Sequence, residues 1–470
     1  MRDVKKLVFI GWVLMVMLAC SMGTSTNEPP TVITPRTMPT LPPPPIIGYN
    51  TPIPGQNVTP TPPREQINPE LSSQRLRVDV DRMMRDIRAL QNFETRHINS
   101  TNSNNRGVLA AHDYLRQQFE FIQSVTPPDV SFEVESQQFD GFYNDVASDQ
   151  YNVIGRMQGT EVGAGTIVIG AHYDSRTDDL FDADSFSPGA DDNGSGVSAV
   201  LELARILTQS RHRASIIFVL FAAEEVNRQG SRAFVTDYID ANDINLIAMF
   251  NLDTIGSNND PNGNTNDTDI RMYSDNDNSN TSSTRHLARI LDFFGQNYGL
   301  PLDIDYHASL DRDGRYGDQQ SFVDAGYPAV RFIEALEDTP NREGNDLIDY
   351  IEPDYLLSST QTILNLVFSM VDGLQPPDNV TLRELDSLSA DGNTQYQLVW
   401  NAVAGASRYI VVLRPPGELT YDVSYQFTVE ANEVIWDGFD SFIGVAVAAV
   451  DANGLIGRLS TEFVINPNAR

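Results

Sequence analysis

Apolar and polar positions along the chain fall into blocks of different period. Val78, Met83, Ile87 and Leu90 recur near helical spacing, and Leu109, His112, Leu115 and Phe119 do the same within residues 108–121, which predicts two helices. Short continuous apolar runs at 166–170, 215–222 and 246–252 read as buried strands, with a helix-like stretch at 197–207 between the first two. A further strand is expected at 270–273, inside a segment at 257–283 crowded with Asn, Asp, Thr and Gly. That segment lacks the Asp-x-Asp-x-Asp-Gly spacing of a calcium loop, so it reads as a solvated insertion. A helix at 284–294, a strand at 329–333 and a helix at 354–374 complete the pattern. Alternating strands and helices predict an α/β body whose mostly parallel sheet is covered on both faces.

The two ends break from this pattern. Arg2, Lys5 and Lys6 precede an apolar run from Leu7 to Leu18 and then Ala19-Cys20-Ser21, which predicts a secretion signal over residues 1–20. A small residue before Cys20 at the end of that run resembles the lipobox of bacterial lipoproteins and implies a lipid on the Cys20 thiol, with the protein held outside the cytoplasm at the cell envelope or secreted. Residues 21–66 are rich in Pro and Thr and are expected to be an extended linker. The α/β body then occupies 67–375. Past Pro376-Pro377, short alternating runs at 397–400, 409–414, 425–429 and 445–449 predict a small all-β sandwich over 376–470 that resembles a fibronectin type III module, with Trp400 in its core. Inter-domain contacts are small by default, so this module is expected to act as a spacer.

Charge narrows the partners. The 64 Asp and Glu outnumber the 32 Lys and Arg, leaving a formal charge of −32 that repels phosphate backbones and anionic lipid; no nucleic acid is expected, and membrane contact only through the lipid on Cys20. Cys20 is the single cysteine, which excludes an internal disulfide and a cysteine-built metal site.

The candidate chemistry sits at strand ends. His172 and Asp174 follow the first apolar run, Glu224 and Glu225 the second, and Asp253 the third. Ligands of open α/β sheets bind outside the carboxyl ends of the strands, so these five should meet in one crevice, with Asp191 and Asp192 of the glycine-rich turn 188–196 reaching it too. One imidazole among several carboxylates in a dry cleft calls for a cation, and the N/O donor set suits zinc.

His172-Tyr-Asp174, Gly189-Ala-Asp-Asp-Asn-Gly-Ser-Gly196, Ala222-Ala-Glu-Glu225 and Asn251-Leu-Asp253, in this order, resemble the successive motifs of bacterial leucyl-aminopeptidase type di-zinc exopeptidases. The resemblance implies a three-layer α/β/α sandwich, peptide substrates and two zinc ions. By it, His172 and Asp253 would hold one zinc, Asp192 would bridge both, Glu225 would ligate the other, Asp174 would orient His172, and Glu224 would be the general base. The family's late ligand, a His in a His-Thr-Pro-Asn-Asp loop, has no counterpart: no His follows His307, and Arg342 stands at its place in the loop 338–346. A second His is also gone, at Gly317-Asp318-Gln319. A guanidinium has no lone pair for zinc. Three outcomes stay open: a second zinc held weakly by Asp192, Glu225 and water; one zinc, with Arg342 paired to Glu225 in place of the other; or a dead peptidase-like lipoprotein that serves as a peptide-binding surface module. His307 is a replacement ligand or, more simply, a surface histidine. Oligomeric state is not legible.

Overall fold

The computed structural model describes residues 59–60, 68–101, 105–312, 315–337, 344–389 and 392–465. Strand β1 (Thr59–Pro60) precedes helices α1 (Pro69–Arg75), α2 (Val80–Gln91) and α3 (Gly107–Val125). The last two are those that periodicity predicts; α1 is additional. Its start is set by local chemistry, because the Asn68 side chain accepts from the Glu70 and Leu71 N–H groups and Pro69 opens the first turn.

Eight strands build the central sheet: β2 (Phe132–Tyr143), β3 (Val146–Met157), β4 (Thr166–His172), β5 (Ser215–Phe221), β6 (Leu246–Leu252), β7 (Asp269–Tyr273), β8 (Asp303–His307) and β9 (Ala329–Glu334). Their order is β2-β3-β5-β4-β6-β9-β7-β8. β5, β4, β6 and β9 run parallel at the centre, while β3 and β7 join them antiparallel from either side. The sheet is therefore mixed with a parallel middle, as the apolar runs imply. Period-two alternation sends β5 side chains to opposite faces: Ile216, Phe218 and Leu220 pack in the core shared by α2, α3, α4 (Gly196–Leu207) and α8 (Pro353–Asp372). Ile217, Val219 and Phe221 pack on the other face against Phe234 of α5 (Gln229–Phe234) and Phe322 of α7 (Gln319–Asp324). Burial on both faces is why these strands read as unbroken apolar runs.

The C-terminal region is all-β and antiparallel. β10 (Thr381–Leu388), β11 (Thr394–Val399) and β14 (Glu433–Trp436) form one sheet; β12 (Arg408–Arg414), β13 (Gln426–Val429), β15 (Gly444–Val450), β16 (Ile456–Leu459) and β17 (Phe463–Val464) form another, to which β1 adds beside β13. Trp400 lies between the sheets with Val411, Leu413, Val445 and Val447. The opposite face of β12 and β15, with Ile410, Val412, Ala446, Ala448 and Val450, is buried in the same core as the α/β body. Gln296 in α6 (Ser283–Asn297) donates to the Tyr421 carbonyl at 2.7 Å, and the Ile456 N–H donates to the Tyr298 hydroxyl at 2.7 Å. This corrects the expectation of a spacer: the second sheet has two apolar faces, so it docks, and the described residues fall in one compact unit. Among the described residues no helix is long and apolar enough to cross a membrane.

The site follows from the strand order. The chain leaves β4 for β5 on one side and then returns past it to β6 on the other. This reversal opens a crevice at the carboxyl ends of β4, β5 and β6.

Candidate functional site

His172 is the last residue of β4, and its ring is buried. Its Nε2 lies 3.2 Å from Asp192 Oδ1 and 3.7 Å from Asp253 Oδ1. Its Nδ1 lies 3.2 Å from the Asp174 carbonyl oxygen and 3.6 Å from Asp174 Oδ1. Asp174 also accepts from the Glu224 and Glu225 N–H groups at 3.0 and 3.1 Å, so one carboxylate fixes both the imidazole and the turn that follows β5. In that turn Ala223 has a φ of 57°, which swings the two glutamates out of the strand direction and over the crevice.

Asp192 is delivered by the glycine-rich turn. Its N–H and that of Asp191 donate to the two Asp346 carboxylate oxygens, each at 2.9 Å. Asn193 ties the same turn to the end of β6, donating to the Leu252 carbonyl at 2.8 Å and accepting from the Thr254 N–H at 3.1 Å. Asp191 does not reach the crevice as the sequence suggests. Its Oδ1 turns away to accept from the Gly256 N–H at 2.9 Å, because consecutive side chains of a tight turn diverge.

Four arginines that no local pattern reveals complete the pocket wall: Arg176, Arg228, Arg315 and Arg331. Arg176 Nε donates to Glu225 Oε2 at 2.5 Å. Arg331 Nε lies 3.1 Å from Asp253 Oδ2, and Arg315 NH2 lies 4.0 Å from Asp192 Oδ2. A fifth, Arg96, is wholly buried beneath the site and donates to the Tyr173, Pro188 and Gly189 carbonyls at 2.6, 2.5 and 2.8 Å, binding together the loops that carry Asp174 and Asp192. The cavity measures about 280 Å³, with His172, Asp192, Glu224, Glu225 and Asp253 lining it and Leu180 and Tyr316 among its walls.

Electrostatics follow from this crowding. Burial disfavours an imidazolium at His172, but hydrogen bonds to Asp174, Asp192 and Asp253 outweigh it and hold the pKa well above 6.5. Burial would raise Asp253; Arg331 and His172 override it and hold that carboxyl at about 2. Glu224 is pushed well up by burial, with His172 pulling it down and Glu225, Asp318 and Asp253 adding to the rise.

Among the described residues one trio of potential metal ligands brings its donor atoms within 4.8 Å of one another: His172, Asp192 and Asp253. Ligands about 2.1 Å from a tetrahedral zinc stand roughly 3.4 Å apart, and the His172–Asp192 and His172–Asp253 separations of 3.2 and 3.7 Å straddle that value. This trio fits one divalent ion. The second set does not: Glu225 is engaged by Arg176, and no further histidine approaches. His307 stays outside the pocket, stacked on Tyr273 with ring centroids 4.6 Å apart and Nε2 at 3.0 Å from Asp305 Oδ2. Arg342 and Cys20 lie outside the described residues.

Residues 152–367 match the profile of Peptidase family M28. That stretch is similar to M28 peptidases. The M28 match begins in β3 and ends within α8, so it spans every strand end that faces the crevice. A probable zinc metalloprotease of Pyrenophora teres f. teres is 27% identical over 395 residues, covering 77% of this chain and 79% of its own. One of Pyricularia oryzae is 28% identical over 387 residues, covering 74% of each. Among solved structures, the fold is similar to that of the LapA aminopeptidase of Legionella pneumophila, with 20% identity, a TM-score of 0.52 and coverage of 67% of this chain and 78% of that one. LapB of the same organism gives 21% identity and a TM-score of 0.50 over 66% and 77%.

Proposed function

We propose that this protein is a zinc-dependent aminopeptidase that removes N-terminal residues from peptides, anchored outside the cytoplasm through lipid on Cys20. The observation that carries the reading is the meeting of His172, Asp192 and Asp253 within 4.8 Å, with Glu224 lining the same cavity, inside the stretch that matches the M28 profile. The names of the fungal relatives support zinc, and that of LapA supports an aminopeptidase.

His172, Asp192 and Asp253 would hold the ion, which when bound supplies Lewis acidity and lowers the pKa of water. Glu224 takes the proton of the attacking water and returns it to the leaving amine; a raised pKa suits a carboxylate that must hold that proton between the two steps. Asp174 holds the His172 ring and the Glu224 N–H, keeping base and ligand in fixed relation. Asp174→Asn is expected to weaken zinc binding by about 10- to 100-fold, because an amide NH2 then faces one of the two N–H donors, of Glu224 and Glu225, that the carboxylate oxygens accept from. Competition against a chromophoric chelator measures this, and an unchanged affinity removes Asp174 from the positioning role.

Hydrolysis of aminoacyl p-nitroanilides tests the reading. Turnover is expected from the zinc-loaded protein, loss on chelation, recovery with zinc, and none with N-acetylated substrates. Zinc bound without turnover on any peptide would instead assign the cleft to peptide capture.

A further inference from the structure

The two carboxylates that the di-zinc pattern would give to a second ion both face guanidinium groups. Arg176 stands four residues past His172, on the loop leaving β4. That loop is pinned at Ser175, whose hydroxyl accepts from the Arg96 N–H at 3.0 Å and donates to the Ser187 carbonyl at 2.7 Å. From there the Arg176 side chain, 15% exposed, places Nε 2.5 Å from Glu225 Oε2. Asp192 turns Oδ1 toward His172 and Oδ2 toward Arg315 NH2, at 4.0 Å, and Arg315 is itself fixed by Glu337 at 2.9 Å.

Resting on the zinc-peptidase reading, we infer that Arg176 stands where a second metal would: the chain binds one divalent ion, at His172, Asp192 and Asp253, and Glu225 is the guanidinium's carboxylate partner instead of a metal ligand. Charge balance agrees. A second zinc would bring two positive charges to Asp192 and Glu225; Arg176 and Arg315 bring one each. Coordination agrees as well, since a guanidinium offers donors only and a cation beside it is repelled. Among the described residues, the partner of Glu225 is thus found close after the first ligand in sequence, at Arg176. Arg176 is a positioning residue: it holds Glu225 and leaves Asp192 to a single ion.

Equilibrium dialysis of the full chain in detergent against Zn²⁺ and Co²⁺, with metal counted by mass spectrometry and Co²⁺ examined by EPR, tests this independently of turnover. Wild type is expected to hold one equivalent with no spin-coupled pair. Glu225→Gln should still hold one, and Arg176→Ala should gain a second, weaker equivalent at high Co²⁺. Two equivalents in wild type with spin coupling would overturn the inference and leave the peptidase reading intact. So would a drop from two equivalents to one in Glu225→Gln, or a second equivalent that opens in Arg342→Ala but not in Arg176→Ala. No metal in wild type would defeat the peptidase reading itself. Glu225→Gln keeps the test decisive should Arg176→Ala not fold, since it removes a carboxylate but changes little in shape.

Discussion

Replacing Glu224 with Gln is expected to lower kcat for peptide hydrolysis by about 10²- to 10⁴-fold with the zinc retained. The argument is one of chemistry at constant shape. Glutamine keeps the side chain's length and polar end but cannot accept the water's proton. The backbone stays in place because the Glu224 N–H remains bonded to Asp174 at 3.0 Å. Metal retention follows because Glu224 is not in the ligand trio. Steady-state kinetics alongside metal analysis separate the two effects. A variant that keeps a tenth or more of wild-type turnover would remove Glu224 from proton transfer, and one that loses zinc would make it a ligand.

His172→Ala is expected to abolish metal binding and turnover together. His172 Nε2 is the only nitrogen donor of the trio, and removing it leaves Asp192 and Asp253 as the remaining ligands. Without metal, the imidazolium joins Arg331 and Arg315 in neutralising these acids, since its pKa is held well above 6.5. That contribution to the stability of the metal-free protein is present below an unfolded pKa of about 6.5 and is lost as pH rises through the folded value. Zinc must displace the proton, so its affinity is expected to fall as pH is lowered. In wild type, zinc at about 1,000 times its dissociation constant adds roughly 4 kcal/mol to stability. In His172→Ala that increment should vanish, and thermal melts with and without zinc read it directly. A zinc-dependent rise in Tm that survives the substitution would place the ion elsewhere.

The sequence makes the site's floor legible but not its wall. β4, β5 and β6 are unbroken apolar runs, so the polar residue ending each one stands out and the crevice can be placed before any coordinates. The hairpin of β2 and β3 gives no such signal, since its outer strand interleaves Glu133, Glu135, Gln137 and Gln138 with few buried positions. β8, Asp-Ile-Asp-Tyr-His at the sheet edge, is hidden for the same reason. The arginines are missed on different grounds. Arg96 serves carbonyls that are 77 to 93 residues away, and Arg331 sits in an apolar strand while pairing with Asp253. The partners that tie these arginines to the site are far away in sequence, so no spacing announces the pairs. Asp346 could have been found, since it ends the loop in which the late ligand is sought. The docking of the C-terminal sheets departs from the alternation expected at 445–449: Gly444-Val-Ala-Val-Ala-Ala-Val450 is apolar and buried at every position, where a strand with one wet face would alternate.

That unbroken strand bears on how the enzyme can be handled and how it ages. Removing the sheet it belongs to would take away β16, which packs on α6 and α8, and open a sticky patch on what remains. Trimming after Asp372 should therefore give aggregates in place of a smaller working peptidase, and a protease nick in the β region would silence a cleft it never touches.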